Sequence, residues 1–283
     1  TETVSQYVVD WGDGTSDTYA AAGDVTHVYA DGASTPTITV DLVDEDGTHT
    51  DAGSKSITVN NVAPTAIVGG GDTVNEGSTY TLSVGPVVDP GTDTRSAYSI
   101  DWGDGSTQNF TPAEWAAASG SFGHTYADGA STPTITVSAT DEDGTFVLGT
   151  KSLTVNNVAP SAVLTGAASL DEGGSYTLNI VGSDPAGAND TLAYGIDWGD
   201  GSAVQNFTAA ELAALSGNVA HVFADDADGP VNATARTIQV TVTDEDGGSS
   251  SSSKGVTVNN VAPVIALAGA ANGVEGTPYT LTL

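Results

Sequence analysis

The stretch Asp-Trp-Gly-Asp-Gly occurs three times in this chain, at residues 10–14, 101–105 and 197–201. Each copy ends an alternating run of large apolar residues: Tyr7, Val9 and Trp11; Tyr98, Ile100 and Trp102; Tyr194, Ile196 and Trp198. Residues two apart in a β-strand share one face, so each run predicts a strand with one buried face. The Gly-Asp-Gly that follows predicts a sharp turn, because glycine adopts positive φ without steric cost. A core strand and turn repeated in this way predict tandem β modules.

Two further motifs recur in step with the first. Asp-Glu-Asp-Gly begins at residues 44, 141 and 244, and Val-Asn-Asn-Val-Ala-Pro begins at 59, 155 and 258. Residues 29–40 and 126–137 are identical, which indicates duplication of one unit. A period of about 100 residues is too long for a solenoid and fits a string of separate sandwich domains.

The repeats define four segments, which we call modules one to three and the C-terminal segment. They are residues 1–62, 63–158, 159–262 and 263–283. A complete module predicts about seven short strands separated by turn signals, a pattern typical of an antiparallel β-sandwich. The predicted fold class is therefore all-β, with sandwich modules in a linear array.

The two ends of the chain match parts of the complete module. Residues 1–14 align with 92–105, so module one lacks its first strands, and residues 263–283 align with the opening strands at 64–84. An isolated pair of strands is marginally stable in water. Either the sequence is an excerpt from a longer array, or the C-terminal segment completes module one of another copy. The second alternative predicts a head-to-tail fibre formed by strand exchange.

Modules two and three also carry a helix signal. Thr followed three residues later by Glu forms a capping box, at Thr111 with Glu114 and at Thr208 with Glu211. Alanine-rich runs follow and end at glycine, which predicts a short helix of about two turns in each module. We expect Trp115 and Leu215 to pack on a sandwich face.

Composition excludes several classes of function. The 283 residues include 36 Asp+Glu but only 5 Lys+Arg, a net charge of −31, which argues against nucleic acid and anionic membranes as partners. There is no cysteine, so there are no disulfides and no thiol chemistry. No apolar run approaches the roughly 20 residues that cross a bilayer. Lys55, Lys151 and Lys254 each lie on a predicted last strand, where a charge discourages edge-to-edge pairing.

The motifs together resemble the polycystic-kidney-disease (PKD) domain. That family combines an aromatic-Gly-Asp-Gly turn, a His-x-Tyr segment and an alternating strand that ends in an Asp-x-Asp-Gly turn. The His-x-Tyr matches are residues 27–29 and 124–126, whereas residues 221–223 end in Phe223 instead of tyrosine. The resemblance implies an immunoglobulin-like sandwich in an extracellular adhesin, a surface-layer protein or the spacer of a secreted hydrolase. It implies no catalytic residue.

The acidic turns predict calcium sites, because calcium prefers six to eight oxygen ligands. One predicted group lies beside the first linker and contains Asn60, Asn61, Asp89, Asp93, Asp141 and Asp143. The other lies beside the second linker and contains Glu76, Asn156, Asn157, Asp184, Asp190, Asp244 and Asp246. The alternative is that Asp-Gly is ordinary hairpin chemistry and the acids are solvated.

Other candidate sites are less specific. His27, His124 and His221 recur beside an aromatic residue, and we expect a packed, hydrogen-bonded structural role. Asn-x-Ser/Thr sequons predict possible glycosylation at Asn109, Asn189, Asn206 and Asn232. An enzyme is not expected, because no pair of carboxylates lies in an irregular insertion that could form a pocket. No catalytic-nucleophile motif and no phosphate-binding motif occurs in the sequence.

The sequence therefore predicts a spacer or fibre segment of an extracellular surface or adhesin-like protein, stiffened by cations between modules. Its expected partners are neighbouring modules, copies of itself and surface glycans, with no nucleic acid and no membrane insertion. The alternative is a carbohydrate- or substrate-binding accessory region of a secreted hydrolase. Trp115 is the one tryptophan outside the predicted core strands that could stack on a sugar.

Overall fold

A computed structural model describes residues 3–224 and 233–283. The chain divides into two compact units, residues 1–156 and 157–283, at the second Asn-Asn linker. In the part of the chain that the structure describes, the regular secondary structure of each unit is β-strand apart from one short helix. Among the described residues, no helix has the length and apolar character to cross a membrane.

Module one forms a single antiparallel sheet in the order β2-β1-β3-β4. Its strands are β1 (Gln6–Asp10), β2 (Ser16–Tyr19), β3 (Thr37–Asp44) and β4 (Gly47–Ser56). β1 and β3 are neighbours in this sheet, and their apolar residues share one face, with Tyr7 opposite Leu42 and Val9 opposite Val40. Of the residues described here, 3–62, none forms a second sheet that faces the first.

Module two is a two-layer sandwich within the first unit. Its elements are β5 (Val68–Gly70), β6 (Thr73–Asn75), β7 (Thr79–Val84), β8 (Ala97–Asp101), β9 (Thr107–Phe110), α1 (Pro112–Ala118), β10 (Ser121–Thr125), β11 (Thr134–Thr140), β12 (Thr145–Ser152) and β13 (Thr154–Asn156). One sheet has the order β10-β7-β5 and the other β12-β11-β8-β9, while β6 pairs in parallel with β13. Leu82 from the first sheet and Ile100 and Ile135 from the second share one buried core.

Module three repeats this plan in the second unit. Its elements are β14 (Ser161–Thr165), β15 (Ser169–Asp171), β16 (Ser175–Ser183), β17 (Ala193–Asp197), β18 (Gln205–Thr208), α2 (Ala209–Ala214), β19 (Asn218–Val222), β20 (Ala233–Thr243) and β21 (Ser249–Asn259). The sheets have the orders β14-β16-β19 and β15-β21-β20-β17-β18. The C-terminal segment adds a small hairpin, β22 (Ala268–Gly269) paired with β23 (Leu281–Thr282). The predicted all-β sandwich class is confirmed.

Both predicted helices are present, and both begin with the predicted capping box. Thr111 accepts a hydrogen bond from the Glu114 backbone N–H, and the Glu114 carboxylate accepts one from the Thr111 N–H. Trp115 packs as predicted, with its ring stacked on Tyr98 at 4.4 Å between centroids.

The prediction for Leu215 is wrong. Leu215 is 45% exposed, whereas Leu212, one helical turn earlier, is 4% exposed and belongs to the core of module three. Leu215 is the C-cap residue of α2, so it has left the helical face that packs on the sheet.

The lysines lie on the last strands, at unpaired sheet edges as predicted. β4 and β12 end their sheets, and β21 pairs with β20 on one side along its whole length. The short parallel strand β15 pairs with the other side of β21 only at residues 257–259, so the segment that carries Lys254 is also an edge. Lys151 forms an ion pair with Asp72, which ties β12 to the loop before β6.

Candidate metal centres

The Trp-Gly-Asp-Gly turn has the same backbone conformation in all three modules. Gly103 has φ +77°, and a Cβ there would lie 2.7 Å from the carbonyl oxygen of Thr134, so only glycine fits. His124 Nε2 and Asp104 Oδ2 form a hydrogen bond of 2.7 Å, and the His124 ring stacks on the Trp102 ring.

The same Asp–His contacts recur in the other two modules. Hydrogen bonds from Thr15 and then His27 lower the pKa of Asp13 to about 2. Burial alone would raise the pKa of Asp200, but hydrogen bonds from Ser202 and His221 lower it to about 2. The predicted structural role of the three histidines is confirmed, because each is packed on a tryptophan and bonded to an aspartate.

The Asp-Glu-Asp-Gly turn holds its first aspartate in a fixed orientation. In module two, Asp141 Oδ1 accepts hydrogen bonds from the backbone N–H groups of Asp143 and Gly144, at 3.0 and 3.1 Å. Asp141 is 7% exposed, and its other oxygen, Oδ2, is buried with no hydrogen-bond partner among the described residues. A buried carboxylate oxygen without a donor is costly, so a ligand at this point would be stabilising.

The first acidic cluster brings together three of the predicted ligands. One carboxylate oxygen each of Asp89, Asp93 and Asp141 lies within 4.8 Å of the others. Both oxygens of Asp93 are buried and have no hydrogen-bond partner among the described residues. Burial first, and then the Asp89 and Asp31 carboxylates, raise the pKa of Asp93 to about 6. Arg95 Nη2 contacts Asp89 Oδ2 at 3.2 Å and already supplies one positive charge.

A second cluster shares Asp93 and joins modules one and two. Asp31, Asp93 and Asp143 place one oxygen each within 4.8 Å of one another. Asp31 comes from module one, and beside it the Ala30 carbonyl accepts hydrogen bonds from the N–H and the hydroxyl of Thr92, both at 2.9 Å. The sequence analysis did not include Asp31. The signal that could have found it is the Tyr-Ala-Asp-Gly at residues 29–32, which recurs at 126–129.

The third cluster lies in module three. Asp184, Asp190 and Asp244 place one oxygen each within 4.8 Å of one another, and the Asn157 amide donates to Asp244 Oδ2 at 3.0 Å. Asp184 Oδ2 and Asn157 Oδ1 are buried without a hydrogen-bond partner in the described part of the chain. The position two residues after Asp190 is Leu192, where the first cluster has Arg95 two residues after Asp93.

None of the remaining predicted ligands supplies a carboxylate to the three clusters described above. Asn60 and Asn61 line a small cavity together with Asp31 and Gly91. Glu76 is buried, and its N–H donates to the Asn156 carbonyl at 3.0 Å, as expected for a residue facing the second linker. Asp246 is exposed and is not a member of the third cluster. A contact between Glu76 and the acids of module three stays a prediction.

The sequons differ in where they lie. Asn109 on β9 and Asn206 on β18 are exposed at equivalent positions, and Asn189 is exposed in a loop where its amide donates to the Ala186 carbonyl. Asn232 lies outside the described residues. Glycosylation stays a prediction at all of these positions.

The donor set of the clusters determines their chemistry. Their members offer carboxylate oxygens, with an amide oxygen at Asn157, and neither nitrogen rings nor thiolates. Such a set suits hard cations such as Ca²⁺ and Mg²⁺. Ca²⁺ fits better because it tolerates an irregular shell, whereas Mg²⁺ demands near-octahedral geometry.

The two-sheet modules two and three define the class of this protein, which is a multi-domain β-sandwich protein. No family model matches the sequence, and no curated protein is similar to it. Extracellular domains 3–5 of Drosophila OTK are similar in structure with a TM-score of 0.30 and 11% identity, over 91% of this chain and 85% of that one. Three N-terminal domains of the outer capsid protein Hoc of bacteriophage RB49 give a TM-score of 0.29 and 12% identity, over 91% and 88%.

Proposed function

We propose that this chain is a structural spacer of an extracellular surface or adhesin-like protein, built of PKD-like modules and stiffened by calcium ions. The observation that carries the proposal is the cluster of Asp31, Asp93 and Asp143, which draws its carboxylates from two consecutive modules. A cation bound there would hold module one against module two. Copies that join head to tail by strand exchange would extend such a spacer into a fibre.

Charge supports a role for cations. The chain carries a net charge of −31, and its clusters concentrate carboxylates in loops at the module ends. Carboxylates a few Å apart repel one another, which costs stability unless protons or cations are bound. A divalent ion would remove this repulsion and restrict bending at the linker. Extracellular calcium modules bind at about 0.1–1 mM, a range that suits such a site outside the cell.

The repeated Trp-Gly-Asp-Gly turn supports the PKD-like assignment. Its aspartate, the following histidine and the tryptophan form one contact set in each module, and each set is internal to its module. The contacts that recur in all three modules therefore serve folding, which fits a spacer better than an enzyme. The extracellular location rests on this same resemblance.

The carbohydrate-binding alternative receives less support. Trp115 was its best candidate for stacking on a sugar, but the ring is already stacked on Tyr98 and lies 4.4 Å from Phe122 between centroids. The other tryptophans are buried in their modules. A glycan-binding screen with the whole chain tests this alternative directly, and specific retention of a glycan would favour it over the spacer.

The spacer proposal is tested by melting and small-angle scattering of the chain in millimolar calcium and in chelator. Calcium should raise the melting temperature. It should also narrow the range of distances between modules that small-angle scattering reports, because the linker bends less. Asp93→Asn removes a member of two clusters and should weaken both effects, whereas Glu245→Gln changes an exposed acid outside the clusters and should leave them intact. Identical melting curves of the parent chain with calcium and with chelator would reject the cation-stiffened spacer.

A further inference from the structure

Asp93 is a member of two acidic clusters at once. It lies in the first cluster with Asp89 and Asp141, and in the second cluster with Asp31 and Asp143. Both of its carboxylate oxygens are buried, and neither has a hydrogen-bond partner among the described residues. An ionised carboxylate carries two acceptor oxygens, so one residue can bind a separate cation with each.

The Asp-Glu-Asp-Gly turn of module two supplies one carboxylate to each of these clusters. Asp141 belongs to the first cluster, and Asp143, two residues later, belongs to the second. The backbone N–H groups of Asp143 and Gly144 donate to Oδ1 of Asp141, which leaves Oδ2 as its remaining acceptor. A single short turn therefore presents carboxylates to two clusters that share Asp93.

The burial of these groups indicates a ligand, independently of how many acids lie together. Asp141 is 7% exposed, and its Oδ2 is buried without a hydrogen-bond partner in the part of the chain that the structure describes. The side chain of Asp89 in the same cluster is 3% exposed. Solvent compensates little of this charge, and a buried carboxylate oxygen without a donor is unfavourable unless a cation or a proton meets it.

The charges of the two clusters match two divalent ions. Together the clusters contain five carboxylates, which are those of Asp31, Asp89, Asp93, Asp141 and Asp143. Arg95 contacts Asp89 at 3.2 Å, and no other Lys, Arg or His of the described residues forms an ion pair with any of the five. Four negative charges therefore remain. Two divalent cations neutralise them, whereas a single ion would leave two charges repelling each other in a largely buried group.

We infer that Asp93 bridges two calcium ions at the junction of modules one and two. The first ion would bind Asp89, Asp93 and Asp141. The second ion would bind Asp31, Asp93 and Asp143. Protein sites that hold two metal ions commonly place them about 3.5–4 Å apart, a separation that one carboxylate can span. The inference rests on the proposed function, which needs calcium at this junction, and it adds the number of ions and the residue that couples them.

The two ions would have different tasks. The ligands of the first ion all belong to module two, so this ion would hold Asp93 in place. The second ion would also bind Asp31 of module one, and it would therefore be the ion that joins the modules. Asp31 and Asp143 are exposed and line an open cavity of about 560 Å³, where water can complete the shell of six to eight oxygens. The second ion should therefore be released faster than the first.

The test is the number of calcium ions bound by the whole chain, measured by native mass spectrometry and equilibrium dialysis at a calcium concentration that just saturates the parent. Asp93→Asn should bind two ions fewer than the parent chain, because it removes the shared carboxylate. Asp143→Asn should bind one ion fewer, because Asp143 belongs only to the second cluster. After mixing with chelator, Asp143→Asn should also lack the fastest phase of calcium release.

The matched control is Glu142→Gln. Glu142 is an exposed acid between the two aspartates of the turn and belongs to neither cluster. Its carboxylate accepts a hydrogen bond from the Thr94 N–H, and glutamine retains an acceptor at that position. Glu142→Gln should bind as many ions as the parent chain. Circular dichroism in chelator checks that each variant keeps the β-sheet content of the parent.

The outcomes separate this inference from the spacer proposal. If Asp93→Asn loses only one ion, a single ion serves all five carboxylates, which overturns the inference and leaves the calcium-stiffened spacer intact. If Asp93→Asn loses no ion, or if the parent chain binds no calcium, both the inference and calcium stiffening at this junction are wrong. Equal ion counts for Asp143→Asn and Glu142→Gln would also overturn the inference.

Discussion

The hydroxyl of Tyr126 donates a 2.9 Å hydrogen bond to the backbone carbonyl of Trp102, and Tyr29 makes the same bond to Trp11. The bond joins the end of the His-x-Tyr segment to the Trp-Gly-Asp-Gly turn across the sandwich. Burial raises the pKa of the Tyr126 phenol, so the group remains a donor at ordinary pH. Module three has Phe223 here and cannot make the bond.

This bond gives the first prediction. Tyr126→Phe should lower the free energy of unfolding of module two by about 1–2 kcal/mol, because a buried carbonyl loses its donor. Phe223→Tyr should stabilise module three by up to about 1 kcal/mol. Urea unfolding followed by tryptophan fluorescence measures both changes. Equal stability of Tyr126→Phe and the parent chain would contradict the proposed role of the hydroxyl.

The second prediction concerns the two leucines of α2. Leu212→Ala should destabilise module three by about 2–4 kcal/mol, because it leaves a cavity under the helix. Leu215→Ala should change stability by less than about 0.5 kcal/mol, because the side chain is largely exposed. Thermal unfolding of both variants, compared with the parent, checks this pair. Similar losses for the two variants would contradict the packing of the helix described above.

The third prediction follows from the difference between Arg95 and Leu192. Arg95 contacts Asp89 and would compete with a cation for the first cluster, whereas the residue two positions after Asp190 in the third cluster is the uncharged Leu192. Arg95→Leu should raise calcium affinity at the first cluster about tenfold, since repulsion between a nearby unit charge and a divalent ion is worth about 1–2 kcal/mol and about 1.4 kcal/mol corresponds to tenfold. Titration calorimetry measures the change.

The control for the third prediction is Arg236→Leu. This substitution removes an equal charge from module three, where Arg236 contacts the Gly199 carbonyl. It should leave the calcium affinity of the first cluster unchanged. If Arg95→Leu and Arg236→Leu had the same effect, total charge rather than local competition would control binding.

The fourth prediction is a dependence of stability on pH. The pKa of Asp200 in the folded chain is lowered to about 2 from its ordinary 3.8. The ionised carboxylate therefore contributes stability that is complete above the unfolded pKa and is lost as pH falls through the folded one. Asp200→Asn should melt below the parent at pH 6, and the difference should shrink between pH 4 and pH 2. A constant difference over that range would contradict the prediction.

Much of the fold could be predicted because the signals were local. Alternation along residues 7–11 and 98–102 predicted the core strands, and the Thr-x-x-Glu pattern predicted both helix starts. Leu215 was misplaced because the last residue of a helical pattern can fall at the cap, where the chain leaves the packed face. The pairing of β15 with β21 was missed because only three residue pairs form it.

The candidate metal sites were predictable in composition but not in grouping. Asp-Glu-Asp-Gly identified Asp141 and Asp244 as turn carboxylates whose orientation is set by neighbouring backbone N–H groups. The partners of these residues come from loops about 50 residues away in sequence, so no local pattern reports their distance. Asp31 was missed for the same reason, since its proximity to Asp93 depends on how module one packs against module two.

The sequence by itself determined the strand faces, the glycine turns and the capped helices, because each depends on residues that are close together in the sequence. It also determined the modules, because the same motifs recur in the same order. Only the tertiary structure decided which carboxylates meet and that Arg95 contacts Asp89. It also decided that Ile135 is buried in module two, whereas Ile38, at the same position of the identical segment, is only partly buried in module one. Those outcomes depend on what the opposite sheet or the neighbouring loop supplies, and burial and charge interact through space rather than along the chain.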